Sequence, residues 1–348
     1  MRVARTLIIG LILALLTGLA GVVCPGAGRA QSAGIQFSLD RPIDAVASPF
    51  VMAASSGLFA TEGLNVTINI ASGSPDAIAK VAAGTNDFAL VDINALIRYR
   101  GDKDKPDAPQ IKAVFVLFNK APYAIVARKS RGISALPDLQ GKLLGVADGD
   151  LSARLWPAVA KQNGIKLSSV KQSQLSAAVR EPMLSAGQVD AVTGFSYLSA
   201  INLRDRGVPA DDLVVLKFSD YGCESYGFAI IVNPAVAATK PETVRGFVRA
   251  VIGGMHLTIK EPAKAIEQVV GRMDGGSREL ELERLRAVIH DNILTPEVRR
   301  NGLGGIDGAR FERSIDQIAE DFKFRKRPTG TDVFDDSFLP PINGRLIN

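Results

Sequence analysis

IQFSLDRPIDAVASPFVMAASSGLFATEGLNVTINI, residues 35–70, sets two short apolar runs, IQFSLD and LNVTINI, on either side of the helical pattern SPFVMAASSGLF. A strand, an amphipathic helix and a second strand of these lengths make a crossover unit, which places two parallel strands in one sheet. The pattern continues with PDAIAKVAAG as a helix and with DFALVD and IKAVFVLF as strands. A second series follows: AIVARK and KLLGVA are strands, SARLWPAVAKQNG is a helix stopped by Gly164, SVKQSQL is a strand, EPMLSAG a helix, and DAVTGF and LVVLKF are strands. YGFAIIVN then runs extended into Pro234, after which PETVRGFVRAVIGGMHLTIK, PAKAIEQVV and ELELERLRAVIHDNI are all helical patterns.

The expected fold is therefore α/β and two-lobed, each lobe a mainly parallel sheet flanked by helices. Lobe I is expected from residues 35–122 plus 234–348, its helical tail returning to cover it, and lobe II from residues 123–233. The chain crosses between them near 119–123 and again near 220–233. Two lobes joined in this way set the C-terminal edges of their strands around a shared cleft, where open α/β sheets bind ligands.

The N-terminus has a different character. Arg2 and Arg5 precede an uncharged run of seventeen residues from Leu7 to Val23, followed by CPGAGRA. These are the three regions of a secretory signal peptide occupying residues 1–30, with cleavage expected after Ala30. The run is short for a bilayer span of roughly 20 residues. Lipidation at Cys24 is the lesser alternative, because Val23 is bulky for the position before such a cysteine. A periplasmic location is expected for the mature chain. Arg2, Arg5 and Arg29 supply three of the five net positive charges, and the remaining basic residues are scattered, so no nucleic-acid partner is expected. Cleavage leaves Cys223 as the single cysteine, and the core must hold the fold without a disulfide.

GLFATEGLNVTI (57–68), AAGTNDFALVD (82–92), ALPDLQGKLLGVADG (135–149) and SAGQVDAVTGF (185–195) occur in an order and spacing that resembles the periplasmic solute-binding proteins of ABC importers. The group that carries nitrate, taurine, sulfonates and thiamine-pyrimidine precursors is the most similar. The resemblance spans roughly residues 35–270. It implies a type II periplasmic-binding-protein-like clamp that closes on a small solute and delivers it to an ABC permease in the inner membrane, as a monomer and with no cofactor. Pyrimidine synthases of thiamine biosynthesis resemble the same fold. Those enzymes carry a cysteine-rich motif near the position of GCESYG and a histidine in the first lobe. This chain has one cysteine there and no histidine before His256, so no catalytic residue carries over.

The loops after strand ends supply the candidate ligand-binding residues. In lobe I they are Arg41, Asp44 and Ser48, then Ser72, Gly73 and Ser74, then Asp92 and Asn94. In lobe II, ADGDLSARLW contributes Asp148 and Ser152, with one of Asp148 and Asp150 expected as a helix cap. Arg180 opens a helix, where a cation opposes the dipole and calls for an anionic neighbour. That neighbour is either a carboxylate such as Glu181 or the solute. Arg41 could supply a second guanidinium for a carboxylate or sulfonate. Phe195, Tyr197 and Tyr226 are candidates to stack on a planar ring, and Glu224 would favour an amino-bearing heteroaromatic if it faces the cleft. Only His256 and His290 exist, 34 residues apart, so metal-ligand spacing is absent. GFSYL lacks the second glycine of a nucleophile elbow. No catalytic and no metal residue is expected. The solute is expected to be a small planar aromatic acid, a sulfonate-like anion or a heteroaromatic.

Overall fold

The computed structural model describes residues 33–102, 104, 107–147 and 149–347. The leader expected at 1–30, its cleavage point at Ala30, and Cys24 lie outside these residues, and so does Asp148. Ten strands stand among the described residues. They are β1 (Ala33–Leu39), β2 (Leu64–Ile70), β3 (Phe88–Asp92), β4 (Lys112–Val116), β5 (Tyr123–Arg128), β6 (Leu143–Ala147), β7 (Lys171–Leu175), β8 (Ala191–Phe195), β9 (Leu213–Lys217) and β10 (Phe228–Val232).

They form two five-stranded sheets, ordered β2-β1-β3-β10-β4 and β7-β6-β8-β5-β9. β1 pairs in parallel with β2 and β3, and β6 with β7 and β8. β10 runs antiparallel to β3 and β4, and β5 antiparallel to β8 and β9. Both sheets are therefore mixed, and they share one plan: the strand next to the edge arrives from the other lobe and runs against its neighbours.

This plan corrects the expected boundary. Residues 123–233 were assigned to lobe II, yet β10 completes the first sheet. Its sequence FAIIV is apolar throughout and buried at every position, which suits an interior strand covered on both faces. The chain has thus returned to the first lobe by Phe228. The two crossing segments, 117–122 and 218–227, are joined by backbone bonds: Gly227 N–H donates to the Phe118 carbonyl at 2.9 Å, and Ala121 N–H to the Ser225 carbonyl at 3.1 Å. Gly227 permits that approach, since a Cβ there would lie 2.9 Å from the Phe118 Cβ.

The tail also departs from the expectation that it covers lobe I alone. The helix Pro241–Lys260 does lie on the first sheet, where Phe247 stacks on Phe88 at 4.2 Å between ring centres and approaches Phe37 and Phe59 at 5.4 and 5.2 Å. The helix Arg278–Val288, however, packs on Ser196–Asp205 of the second lobe, and Gly308–Ile318 packs on Leu151–Gln162. Arg204 forms a two-point pair with Glu283 at 2.5 and 2.7 Å, and Lys161 reaches Glu320 at 2.7 Å. Amphipathic helices with charged outer faces can serve two neighbours in this way.

Close packing of the Pro241–Lys260 helix against Ser48–Ser55 depends on Gly254. A Cβ at that position would stand 2.0 Å from the Pro49 carbonyl oxygen, a backbone atom that cannot swing aside. Alanine is the better helix former by about 1 kcal/mol, but the clash requires the helices to part. Gly254→Ala is expected to destabilise the fold by about 1–3 kcal/mol, the range for overpacking, read as a lower urea midpoint. An unchanged or higher midpoint would show that the interface yields.

Candidate functional site

At the end of β1 the chain places an acid and a base side by side. Asp40, almost fully buried, accepts from Arg41 Nε at 2.8 Å and Nη2 at 3.1 Å, and its Oδ2 accepts from Ser74 Oγ at 2.6 Å. Ser74 Oγ in turn accepts from the Asp92 N–H at 3.0 Å. Burial by itself would lower the Arg41 pKa, but Asp40, together with Tyr197 and Asp44, more than offsets this, so the guanidinium stays charged. The guanidinium lies 4.0 Å above the Phe228 ring, is 5.5 Å from the Phe195 ring, and donates to the Tyr197 hydroxyl at 3.2 Å. Arg41 therefore spans from the first lobe to the second.

Asp92 ends β3 and caps the helix Ile93–Gly101, its Oδ1 accepting from Asn94 N–H at 2.9 Å. Its Oδ2 accepts from the Tyr123 hydroxyl at 2.5 Å. Burial raises the Asp92 pKa to about 6. Asn94 Nδ2 also reaches the Tyr226 carbonyl at 2.8 Å, so these residues knit the two crossings together.

The second lobe repeats the theme of a paired arginine. Asp150 caps the helix Leu151–Gln162, its Oδ1 accepting from Ser152 N–H at 2.9 Å, while its Oδ2 accepts from Thr193 Oγ1 at 2.6 Å and from Arg180 Nη1. Arg180 Nε is buried without a hydrogen-bond partner among the described residues. Of the two neighbours considered for Arg180, a carboxylate is present, but it is Asp150 rather than Glu181. Glu181 instead accepts from Ser199 Oγ at 2.8 Å.

These groups face a cleft of about 550 Å³ between the two sheets. Its lining includes the group of Arg41, Phe195 and Phe228 and the group of Arg98, Arg154 and Phe322. Of the residues expected from sequence, Arg41, Gly73, Ser74, Asp92, Arg180 and Phe195 line it. The remaining described ones do not line it. Asp44 caps a 3-10 turn through Val46 N–H at 2.9 Å, and Ser48 Oγ donates to the Ala45 carbonyl at 2.8 Å. Ser72 N–H donates to Asp76, and Ser152 Oγ to the Gly194 carbonyl at 2.9 Å. Asn94 and Tyr197 are buried behind the wall. The Tyr226 hydroxyl donates to Glu297 at 2.8 Å and accepts from Asp307 N–H at 2.7 Å. Glu224 lies in a separate cavity of about 240 Å³ with Cys223, Glu297 and Arg310, 3.4 Å from Arg313 and 3.6 Å from Arg310. Asp148 lies outside the described residues.

Cys223 is a buried free thiol whose pKa is raised by burial. Among the described residues no three His, Cys, Asp or Glu side chains are grouped to hold a metal, and no helix is long and apolar enough to cross a membrane.

Asp40, Phe228, Arg98, Arg154 and Phe322 were not anticipated. Arg98 had a readable signal: Ala95, Arg98 and Tyr99 fall at i, i+3 and i+4 of the helix Ile93–Gly101, and all three line the cleft.

The architecture is that of the two-lobed periplasmic binding proteins. The aliphatic sulphonate-binding protein SsuA of Escherichia coli superposes with a TM-score of 0.69 at 15% identity, over 88% of this chain and 99% of that one. The nitrate-binding protein NrtA of Synechocystis PCC 6803 does so at 0.63 and 10%, over 88% and 86%. Residues 44–265 match the family described as NMT1/THI5 like, and the chain belongs to that family. Two relatives are each 24% identical: the riboflavin-binding protein RibY of Chloroflexus aurantiacus, over 77% of this chain and 75% of the relative, and the 4-amino-5-hydroxymethyl-2-methylpyrimidine phosphate synthase of Legionella pneumophila, over 63% and 67%.

The buried acids give a pH test. Burial raises the Asp44 pKa from 3.8 to about 6. Between those values the folded chain holds a proton that the unfolded chain has released, so stability falls as pH rises and the full penalty stands above pH 6. Asparagine keeps the cap without the charge. Asp44→Asn is expected to gain stability relative to wild type as pH is raised from about 4 to about 6, measured by urea unfolding at each pH. A gap that stays flat over this window would refute the shifted carboxyl.

Proposed function

We propose that this chain is the extracytoplasmic solute-binding component of an ABC-type importer. It takes a planar heteroaromatic solute in the inter-lobe cleft and delivers it to an inner-membrane permease, residues 1–30 serving as its export leader. The observation that carries this reading is the meeting of Phe195 from the second sheet with Phe228 from the first, their ring centres 6.0 Å apart at 81°, beneath the Arg41 guanidinium. Aromatic walls contributed by both lobes suit a flat ring that each lobe contacts, so that binding favours the shut clamp.

Charge separates this solute from the competing anions. Arg41 and Arg180, the two guanidiniums that could have favoured a sulfonate or carboxylate, already hold Asp40 and Asp150. A small ion such as nitrate would meet both of these guanidiniums already compensated, and it would leave most of a 550 Å³ cleft unfilled. A neutral ring with donor and acceptor edges matches both the apolar walls and the paired charges.

One relative is named as a pyrimidine phosphate synthase. Binding without chemistry is supported here by where the reactive side chains sit. Cys223 lies in the smaller cavity, His290 is exposed, and His256 belongs to the Pro241–Lys260 helix.

A thermal-shift panel of flavins, pyrimidines, aromatic carboxylates, sulfonates and nitrate tests the assignment. Flavins or pyrimidines are expected to raise the melting temperature through binding to the folded state, and mass spectrometry should recover the solute unaltered. Phe195→Ala should weaken that binding by about tenfold, whereas Glu224→Gln should leave it within about twofold. A shift with nitrate or sulfonates alone would refute the heteroaromatic reading, and a converted solute would refute binding without chemistry.

A further inference from the structure

Arg41 and Arg180 both line the cleft and both hold a carboxylate, but they differ in what remains of the guanidinium. All three nitrogens of Arg41 are bonded, Nε and Nη2 to Asp40 and Nη1 to the Tyr197 hydroxyl. Arg180 bonds through Nη1 alone, to Asp150 Oδ2. Its Nε is sealed without a partner, whereas Nη2 carries no hydrogen bond among the described residues and is not closed off in that way. The side chain keeps 12% of its surface accessible, and a Cβ on Gly194, itself part of the cleft lining, would stand 4.0 Å from Nη2. Nη2 is thus an unbonded donor near the end of β8, beside the residue that precedes Phe195.

The pose of this donor is fixed. Asp150 is held by the Ser152 N–H at 2.9 Å and by Thr193 Oγ1 at 2.6 Å, and a guanidinium is planar, so anchoring Nη1 also aims Nη2. Its charge is already balanced by Asp150. An anion arriving at Nη2 would meet that carboxylate as well, whereas a neutral ring nitrogen or carbonyl oxygen takes the hydrogen bond without the repulsion. Water can satisfy Nη2 when the cleft is unfilled. A flat ring that fills the cleft displaces this water, and the donor is then met by an acceptor on the ring or is left unmet at the cost of its desolvation. A site of this kind rejects a ring that lacks the acceptor more strongly than an apolar pocket rejects a misfit.

We propose that Arg180 is a specificity-determining residue of the cleft, its Nη2 donating to a neutral acceptor, a ring nitrogen or ring carbonyl oxygen, of the planar solute that lies against Phe195 and Phe228. This rests on the binding reading above and narrows its solute to a heteroaromatic with an acceptor on the edge turned to the second lobe. Arg41, its nitrogens engaged, forms wall, and Arg180 reads the edge of the ring.

Analogues edited at single acceptors separate the two ideas. Affinities are measured by calorimetry for riboflavin against its 1-deaza, 5-deaza, 2-thio and 4-thio analogues, and for 4-amino-5-hydroxymethyl-2-methylpyrimidine against the aminopyridines that replace either ring nitrogen by CH. In the series that binds, at least one edited analogue is expected to bind wild type roughly tenfold more weakly than its parent, as loss of a hydrogen bond to a charged group entails. That gap should shrink to less than about threefold in the double variant Arg180→Met with Asp150→Asn, which removes both charges of the pair and keeps a capping side chain at 150. If the double variant fails to fold, Arg180→Lys, which keeps a cation for Asp150 but has no second arm, decides in its place by the same criterion. Every edited analogue binding wild type as tightly as its parent, or a gap that survives in the deciding variant, overturns the role of Arg180 and leaves the ring reading standing. Binding by no member of either series overturns the ring reading and this role with it.

Discussion

Everything at the site depends on the two crossing segments being bonded to each other. Because Gly227 donates to the Phe118 carbonyl and Ala121 donates to the Ser225 carbonyl, the chain enters and leaves the second lobe along one narrow antiparallel ribbon. Each sheet is then completed by the strand that emerges from this ribbon, β5 in one lobe and β10 in the other. Phe228 is the first residue of β10, and Tyr123 is the first of β5. The ribbon thereby brings Phe228 against Phe195 and lets the Tyr123 hydroxyl reach Asp92 across the lobe boundary. A ladder one residue out of register would turn these side chains to the opposite faces of their sheets.

The cleft built on this ribbon contains many charges and few free ones. Arg41 and Arg180 are each largely withdrawn from water, and a buried ion left alone is far more costly than one that is paired. The aspartates beside them are thus structural necessities as well as cleft walls. They hold the guanidiniums in fixed poses, Arg41 flat over Phe228 and Arg180 against the start of its own helix. Around Arg41 the cleft wall is therefore a fixed surface of paired charges and the Phe195 and Phe228 rings.

How much of this could be read from the chain follows from what sequence encodes locally. The alternation of apolar runs and helical patterns gave all ten strands, because strand burial leaves a local mark. It could not tell which sheet β10 joins, since FAIIV would suit the interior of either one. Strand-end loops yielded Arg41, Ser74, Asp92, Arg180 and Phe195. The same rule also gathered Asp44 and Ser48, whose side chains bond nearby backbone instead, as short polar side chains tend to do, and Ser152, whose hydroxyl bonds the Gly194 carbonyl of β8. Glu224 and Tyr226 lie in residues 223–227, which are not a strand, so period-two alternation could not give the direction of their side chains. Asp40 escaped notice as the last letter of an apolar run, and Phe322 because only folding brings the tail to the cleft.

The tail sets how firmly the lobes are held together. Glu281 accepts from Ala45 N–H at 2.7 Å in the first lobe and pairs with Arg284, which donates onward to Asn202 of the second lobe at 2.6 Å. Around this buried link lie exposed pairs, Arg204 with Glu283 and Lys161 with Glu320. Exposed pairs contribute only about 0.2–1 kcal/mol each, and less as salt rises. Any parting of the lobes about the ribbon must break them, yet together they oppose it weakly. A further link between the lobes is Arg41, which reaches from Asp40 to the Tyr197 hydroxyl.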